Sequence, residues 1–443
     1  MGSRRTPFAP AVAGTFAMLL AAGVQAQGVE RVSVATGGGQ GNSQSRYPTV
    51  SDGGRYIAFE SDASNLVADD SNGQTDVFVH DRQTGTTVRV SVTPAGGQVT
   101  GPATRPAISG NGQMVTFMSY GMLHPQTVWF HCYAKNRVTG AIEIIDREAS
   151  GTPAPTSNCS APSISRDGRR VAFTSSNINL LGPGADTNGW VDVFVRDLQT
   201  STTVRVNLGP AGVQANQHAD TPRISGNGTH VIYSTAADNL VANDTNAVRD
   251  IFVSNLAGQT QRVSLGSGQL QPINASSAIA GLSGDGSVVA FATNSENLPG
   301  WGPNVESVLY VRTPALDHTV PVSVPSSGVH EGWGEEPDFS ANGRWLAFQS
   351  DNMLLPGTML GGVYILDRWT GDLELLSRRP GNQPAGGNMF GVRISPDGRG
   401  VVWFSNSTDL VPGDTNGTWD VFYADNPFWD DTLFANGFES IVP

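Results

Sequence analysis

Short apolar runs, each bounded by polar turn residues, recur along almost the whole chain. In residues 47–92 they fall at 48–51, 55–60, 76–80 and 87–92. Runs of this length, rich in β-branched and aromatic residues and without a 3.6-residue period, predict β-strands. The first two are joined through Asp52-Gly53-Gly54 and the last two through Thr84-Gly85, dipeptides that supply the positive φ of a tight hairpin.

The same unit returns. Aligned on the serine that precedes an Asp-Gly or Asn-Gly pair, it recurs at Ser51, Ser109, Ser165, Ser225, Ser283, Ser340 and Ser395, spaced by 58, 56, 60, 58, 57 and 55 residues. A period of this size means a repeat architecture. Four antiparallel strands per unit, covered on both faces by neighbouring units, predict an all-β, seven-bladed propeller. The seventh unit ends at Asp420-Val421-Phe422-Tyr423 without a fourth strand, and a surplus strand-like Arg31-Val32-Ser33-Val34 stands at the other end. The N-terminal strand is therefore expected to close the last blade and remove a sheet edge.

Three segments follow: a leader over residues 1–26, the propeller over 27–427 and a tail over 428–443. The leader carries Arg4 and Arg5, an apolar stretch over 9–24 and the small-residue end Val24-Gln25-Ala26, the pattern of a cleaved secretory signal. No later apolar stretch reaches the roughly 20 residues that span a bilayer. A periplasmic or secreted monomer is expected. The tail is aromatic, with Phe428, Trp429, Phe434 and Phe438, and reads as a docked extension or a sorting signal. Two of the 26 basic residues lie in the leader, leaving 24 against 39 acidic ones, a balance that argues against nucleic acid as partner.

Four units carry the loop Asp-x-Asn-x-x-x-Asp: Asp70, Asn72 and Asp76; Asp186, Asn188 and Asp192; Asp244, Asn246 and Asp250; Asp414, Asn416 and Asp420. Asx-turn chemistry explains the first two positions of each, but not a second aspartate at fixed distance. Side-chain oxygens at positions 1, 3 and 7 of a loop whose carbonyls and waters could complete the shell suggest calcium as a cofactor. Units 2, 5 and 6 lack the set, and His131 takes the place of the final aspartate in unit 2.

The strand order brings the connections between units to the face that carries these loops. There lie Asn42, Asn216, Asn274 and His218, and the loop that contains His330, Glu331, Trp333, Glu335 and Glu336. A histidine among carboxylates beside a tryptophan could serve acid–base chemistry or grip a sugar, but with no nucleophile motif or partner to name, a solvated loop whose tryptophan packs over a neighbour is the expected reading. No G-x-S-x-G elbow, P-loop or dinucleotide fingerprint occurs. Cys132 and Cys159 map to this face in adjacent units, and in an exported protein are expected to form a disulfide.

The pattern S-x-D-G-R-x-V-A-F, whole at residues 165–173 and begun again at Ser395-Pro396-Asp397-Gly398-Arg399, resembles the blade repeat of the TolB-like propeller families, as does the later V-F-V-x-D-x-x-T-G segment. The resemblance implies the fold in every blade and leaves activity open, because those families include periplasmic scaffolds, peptidase gating domains and carbohydrate lyases. The TolB N-terminal domain and a hydrolase domain are not expected here. The leading expectation is an exported, non-enzymatic binding or scaffold propeller for a protein or glycan, steadied by calcium. The alternatives are a glycan-active lyase or hydrolase, and a TolB-like cell-envelope assembly factor.

Overall fold

The computed structural model describes residues 28–124, 130–153, 158–273, 277–301, 307–324, 334–351, 353–355 and 361–430. The expected leader and the tail beyond residue 430 lie outside them. Seven four-stranded antiparallel sheets follow one another around a ring. Blade 1 is built from Ser45–Val50, Tyr56–Ser61, Asp76–Asp81 and Thr86–Arg89, and the later blades repeat that order. Among the described residues no helix is long and apolar enough to cross a membrane.

The aligned serine closes the first hairpin of every blade: its hydroxyl accepts the backbone N–H five residues on, as in Tyr56 to Ser51 (2.9 Å) and Gly400 to Ser395 (3.0 Å). The glycine of the turn is needed twice. At Gly112, φ is 69°, and a side chain there would run into the ring of Tyr56 from the preceding blade. In the middle of each sheet an aromatic of the second strand lies directly opposite one of the third, from Phe59 and Phe78 (6.0 Å) to Trp403 and Phe422 (6.3 Å). These pairs and the valines beside them form continuous cores between neighbouring sheets.

The ring closes as its ends suggest. Glu30–Arg31 is the outer strand of the last blade, paired with Tyr423 and Phe422. The Val32 N–H donates to the Val421 carbonyl (2.8 Å), and the Val421 N–H donates to the Ser33 hydroxyl (3.0 Å). At the hub a chain of backbone bonds ties consecutive hairpin turns: Asp52 N–H to Gly110, Gly110 to Arg166, Arg166 to Gly226, Asn227 to Gly284, Gly284 to Ala341 and Ala341 to Pro396. Pro396 has no N–H to pass on, and there the last joint is a side chain: Gly53 N–H donates to Asp397 Oδ2 (2.6 Å).

Cys132 and Cys159 are bonded, joining blade 2 to the entry of blade 3. Titration of the denatured, unreduced protein is expected to find no thiol, and reduction should cost about 3.5 kcal/mol in the chain-entropy picture of a loop this long. Two titratable thiols would contradict the bond. The start of the tail docks on the ring, where Trp429 lies 5.3 Å from the ring of Trp345 and carries the Arg399 guanidinium on its face.

Candidate functional site

The place expected to hold calcium holds a guanidinium. In blade 4, Arg262 Nη1 lies 2.6 Å from Asp244 and 3.4 Å from Asp250. Arg89 bridges Asp70 and Asp76 at 3.0 and 3.4 Å, Arg205 bridges Asp186 and Asp192 at 3.6 and 3.3 Å, and Arg31 approaches Asp414 and Asp420 at 3.4 and 3.9 Å. The asparagine presents its amide nitrogen to the second aspartate, 3.0 Å in Asn72 to Asp76, 3.1 Å in Asn416 to Asp420 and likewise in Asn188 to Asp192 and Asn246 to Asp250. In Asn72, Asn188 and Asn416 the side-chain oxygen accepts the N–H two residues on, from Gln74 to Asn72 at 3.0 Å. A donor turned on the carboxylate and a buried cation beside it do not fit the oxygen cage that calcium requires. Among the described residues no group of three or more His, Cys, Asp and Glu side chains is arranged to hold a metal ion.

The seven blades act as an alignment of the chain with itself. Where the third strand opens on aspartate (Asp76, Asp192, Asp250, Asp420), the fourth ends on arginine (Arg89, Arg205, Arg262, Arg31). Where it opens on His131, Val308 or Gly362, the fourth ends on Ile144, Pro321 or Leu375. Burial pushes the Asp244 carboxyl up to about 6, and raises Asp70, Asp192 and Asp420 as well; the adjacent carboxylate adds to the rise and the guanidinium opposes it. In blade 2 the locus carries a buried His131–Asp146 pair at 2.8 Å, with Cys132 N–H on the same carboxylate.

The other candidates divide. His330, Glu331 and Trp333 lie outside the described residues, as do Asn274 and the side chain of Glu335. Asn42 and Asn216 bind loop to loop: Asn42 to Ser64 and Asn65, Asn216 to Asp238 and Asn239. His218 Nδ1 accepts the Val191 N–H (2.9 Å) and its ring meets Trp190 edge-on, which fixes the loop before blade 3's third strand. Glu336 stands in the central channel, where its carboxylate accepts the N–H groups of Gly391 and Val392.

That channel was not singled out by its residues in the sequence. Every inner strand slips register near its middle, between Arg46 and Thr49 in blade 1 and between Phe390 and Arg393 in blade 7. At the slip the backbone turns left-handed, with φ of 50° at Tyr47, 54° at Arg105, 50° at Ala161, 50° at Thr221 and 54° at Glu336. Each of these five precedes a proline, which itself disfavours a helical backbone, so the conformation costs on the order of 1–3 kcal/mol per site and is held by the ring. The signal was present: a proline three residues before the aligned serine in five of the seven units.

The bulges line a cavity of about 390 Å³ at the hub. Arg105 is exposed in it and stacks on Tyr47, 3.6 Å from the ring centroid. Tyr47 continues into an aromatic cluster on the loop face: Phe404 at 5.3 Å, Trp419 at 5.4 Å from Phe404, and Phe390 at 5.7 Å from Trp419. Across the channel Arg223 reaches past blade 5 to the Pro337 carbonyl (2.9 Å) and to Asp338 (3.7 Å). Gly281 leaves the room for it, since a Cβ there would stand 2.6 Å from that carbonyl oxygen. Burial pulls Arg223 down to about 10 and raises Asp338. Such a cavity is of the size that takes a small ligand.

No protein-family model matches the sequence, and no curated protein matches it. Solved structures do. An oligogalacturonate lyase in complex with manganese aligns with a TM-score of 0.56 and 11% identity over 90% of this chain and 93% of that one. The propeller domain of the Trilobed protease from Pyrococcus furiosus aligns with a TM-score of 0.50 and 10% identity over 82% and 91%. TolB from Acinetobacter baumannii is found at a TM-score of 0.40 and 16% identity over 85% and 64%. At such identity the first two show the propeller fold alone, and the strand pairing of this chain makes it a seven-bladed, four-stranded β-propeller closed by its N-terminal strand.

Proposed function

We propose that the ring is an exported, non-enzymatic binding module for a glycan that enters the channel from the loop face. The observation that carries this reading is Tyr47: a half-buried aromatic held in a left-handed bulge, continuous with Phe404, Phe390 and Trp419 and capped by Arg105. Strained backbone gathers where a fold presents side chains to a ligand, and an aromatic face offers a sugar ring apolar contact. The leader and the Cys132–Cys159 bond support an oxidising, extracytoplasmic setting. The arginines of blades 1, 3, 4 and 7 do for the acidic loops what a divalent ion would.

Titration of the protein with a panel of soluble oligosaccharides, read by intrinsic tryptophan fluorescence, tests the proposal. At least one glycan is expected to bind, and Tyr47→Ala to weaken it at least tenfold, about 1.4 kcal/mol, with an unchanged far-ultraviolet spectrum. A panel without a binder would favour a protein partner, and equal binding by the variant would move the site elsewhere.

A further inference from the structure

We infer that the channel selects an acidic glycan, and that Arg393, Tyr47 and Arg105, contributed by three consecutive blades, form the subsite for its carboxylate. The inference rests on the binding reading above and names its ligand class. The chain as a whole carries a formal charge of −13, yet the cavity is lined by Arg105, Arg166, Arg223 and Arg393 against Glu336 and Asp338. A concave, low-dielectric site of sign opposite to the surface concentrates anions.

The guanidinium groups are not equivalent. Arg166 is paired with Asp52 at 3.0 Å, and Arg223 with Asp338 at 3.7 Å. Among the described residues no carboxylate stands within 4.0 Å of the side-chain nitrogens of Arg105 or Arg393. Arg105 spends its backbone N–H on Glu60 (2.9 Å) and leaves its side chain on the face of Tyr47, while Arg393 donates one bond to the Val392 carbonyl (2.6 Å). The acids lie beside Arg393 on blade 7, and their oxygens are engaged there: Glu336 accepts the Gly391 and Val392 N–H groups and Asp338 accepts the Ile394 N–H (3.0 Å). Donors therefore remain on the side of blades 7, 1 and 2, which is also where the aromatic cluster lies. A planar fork beside an aromatic platform suits a carboxylated sugar ring, with the carboxylate on the guanidinium and the ring face on Tyr47 or Phe390.

Isothermal titration with tetragalacturonate, and with the neutral tetramer obtained from it by carboxyl reduction, distinguishes the outcomes. The acidic tetramer is expected to bind at least tenfold more tightly than the neutral one, and to weaken as salt rises while the neutral one does not. Arg105→Gln and Arg393→Gln should each remove at least tenfold in affinity for the acid and little for the neutral tetramer, with Arg379→Gln, on the exposed rim, as control. Equal affinity for both tetramers would overturn the acidic selection and leave the binding module standing. Binding of neither, nor of any glycan in the panel, would remove both.

Discussion

A protein that lacks residues 28–35 is expected to melt far below the full chain. The deletion takes away the outer strand Glu30–Arg31, the fully buried Val32 and nearly buried Val34, and the cation beside Asp414 and Asp420. Leaving a buried charge without its partner costs about 3–5 kcal/mol, and exposing a valine about 1.5 kcal/mol or more. Together these exceed 5 kcal/mol by order of magnitude, a large share of the stability of an ordinary domain. The loss should be accompanied by dimers or larger species, because the Asp420–Asp425 strand becomes an open edge. Thermal unfolding and sedimentation of the truncated protein check both. A truncated chain that melts with the full one would mean that the ring closes through other contacts.

Replacing Arg262 by alanine should be nearly as costly, about 3–5 kcal/mol, since Asp244 and Asp250 then face each other without a cation in a buried site. Alanine in place of Arg262, Asp244 and Asp250 together should recover much of the loss, because blades 2, 5 and 6 already manage with Ile144, Pro321 or Leu375 at the arginine's place. The native protein should unfold at the same midpoint in millimolar calcium and in chelator. Arg262→Ala should gain from calcium what the native protein does not; a calcium-dependent rise in the native midpoint would show that a metal, and not the guanidinium, neutralises these loops.

The two cases mark what a linear reading can see. The strands and their number were legible because a sheet buried on both faces writes unbroken apolar runs, and because the serine that closes each hairpin keeps its place from Ser51 to Ser395. Closure by the N-terminus was legible as one strand missing and one to spare. The arginine beside the acidic loops was not, because it lies on another strand: 13 residues beyond Asp76 for Arg89 and at the opposite end of the chain for Arg31 and Asp420. Read within one unit, Asp-x-Asn-x-x-x-Asp looks like a cation loop; read across seven, it travels with an arginine. The channel was harder still, since its residues are chosen by radius and not by type. Tyr47, Arg105, Ala161, Thr221 and Glu336 share only a bulge and a following proline, and their chemistry differs from blade to blade. A ring that repeats its scaffold while varying one position per blade is how a symmetric fold acquires an asymmetric site.

The most direct test is a crystal structure of the protein grown with tetragalacturonate, together with analysis of the sugar recovered from solution. The expected result is a sugar ring against Tyr47 with its carboxylate on Arg105 or Arg393, and a tetramer recovered uncut. Sugar bound outside the channel would contradict the site, and a recovered mixture of shorter, unsaturated fragments would contradict a module that binds without turnover.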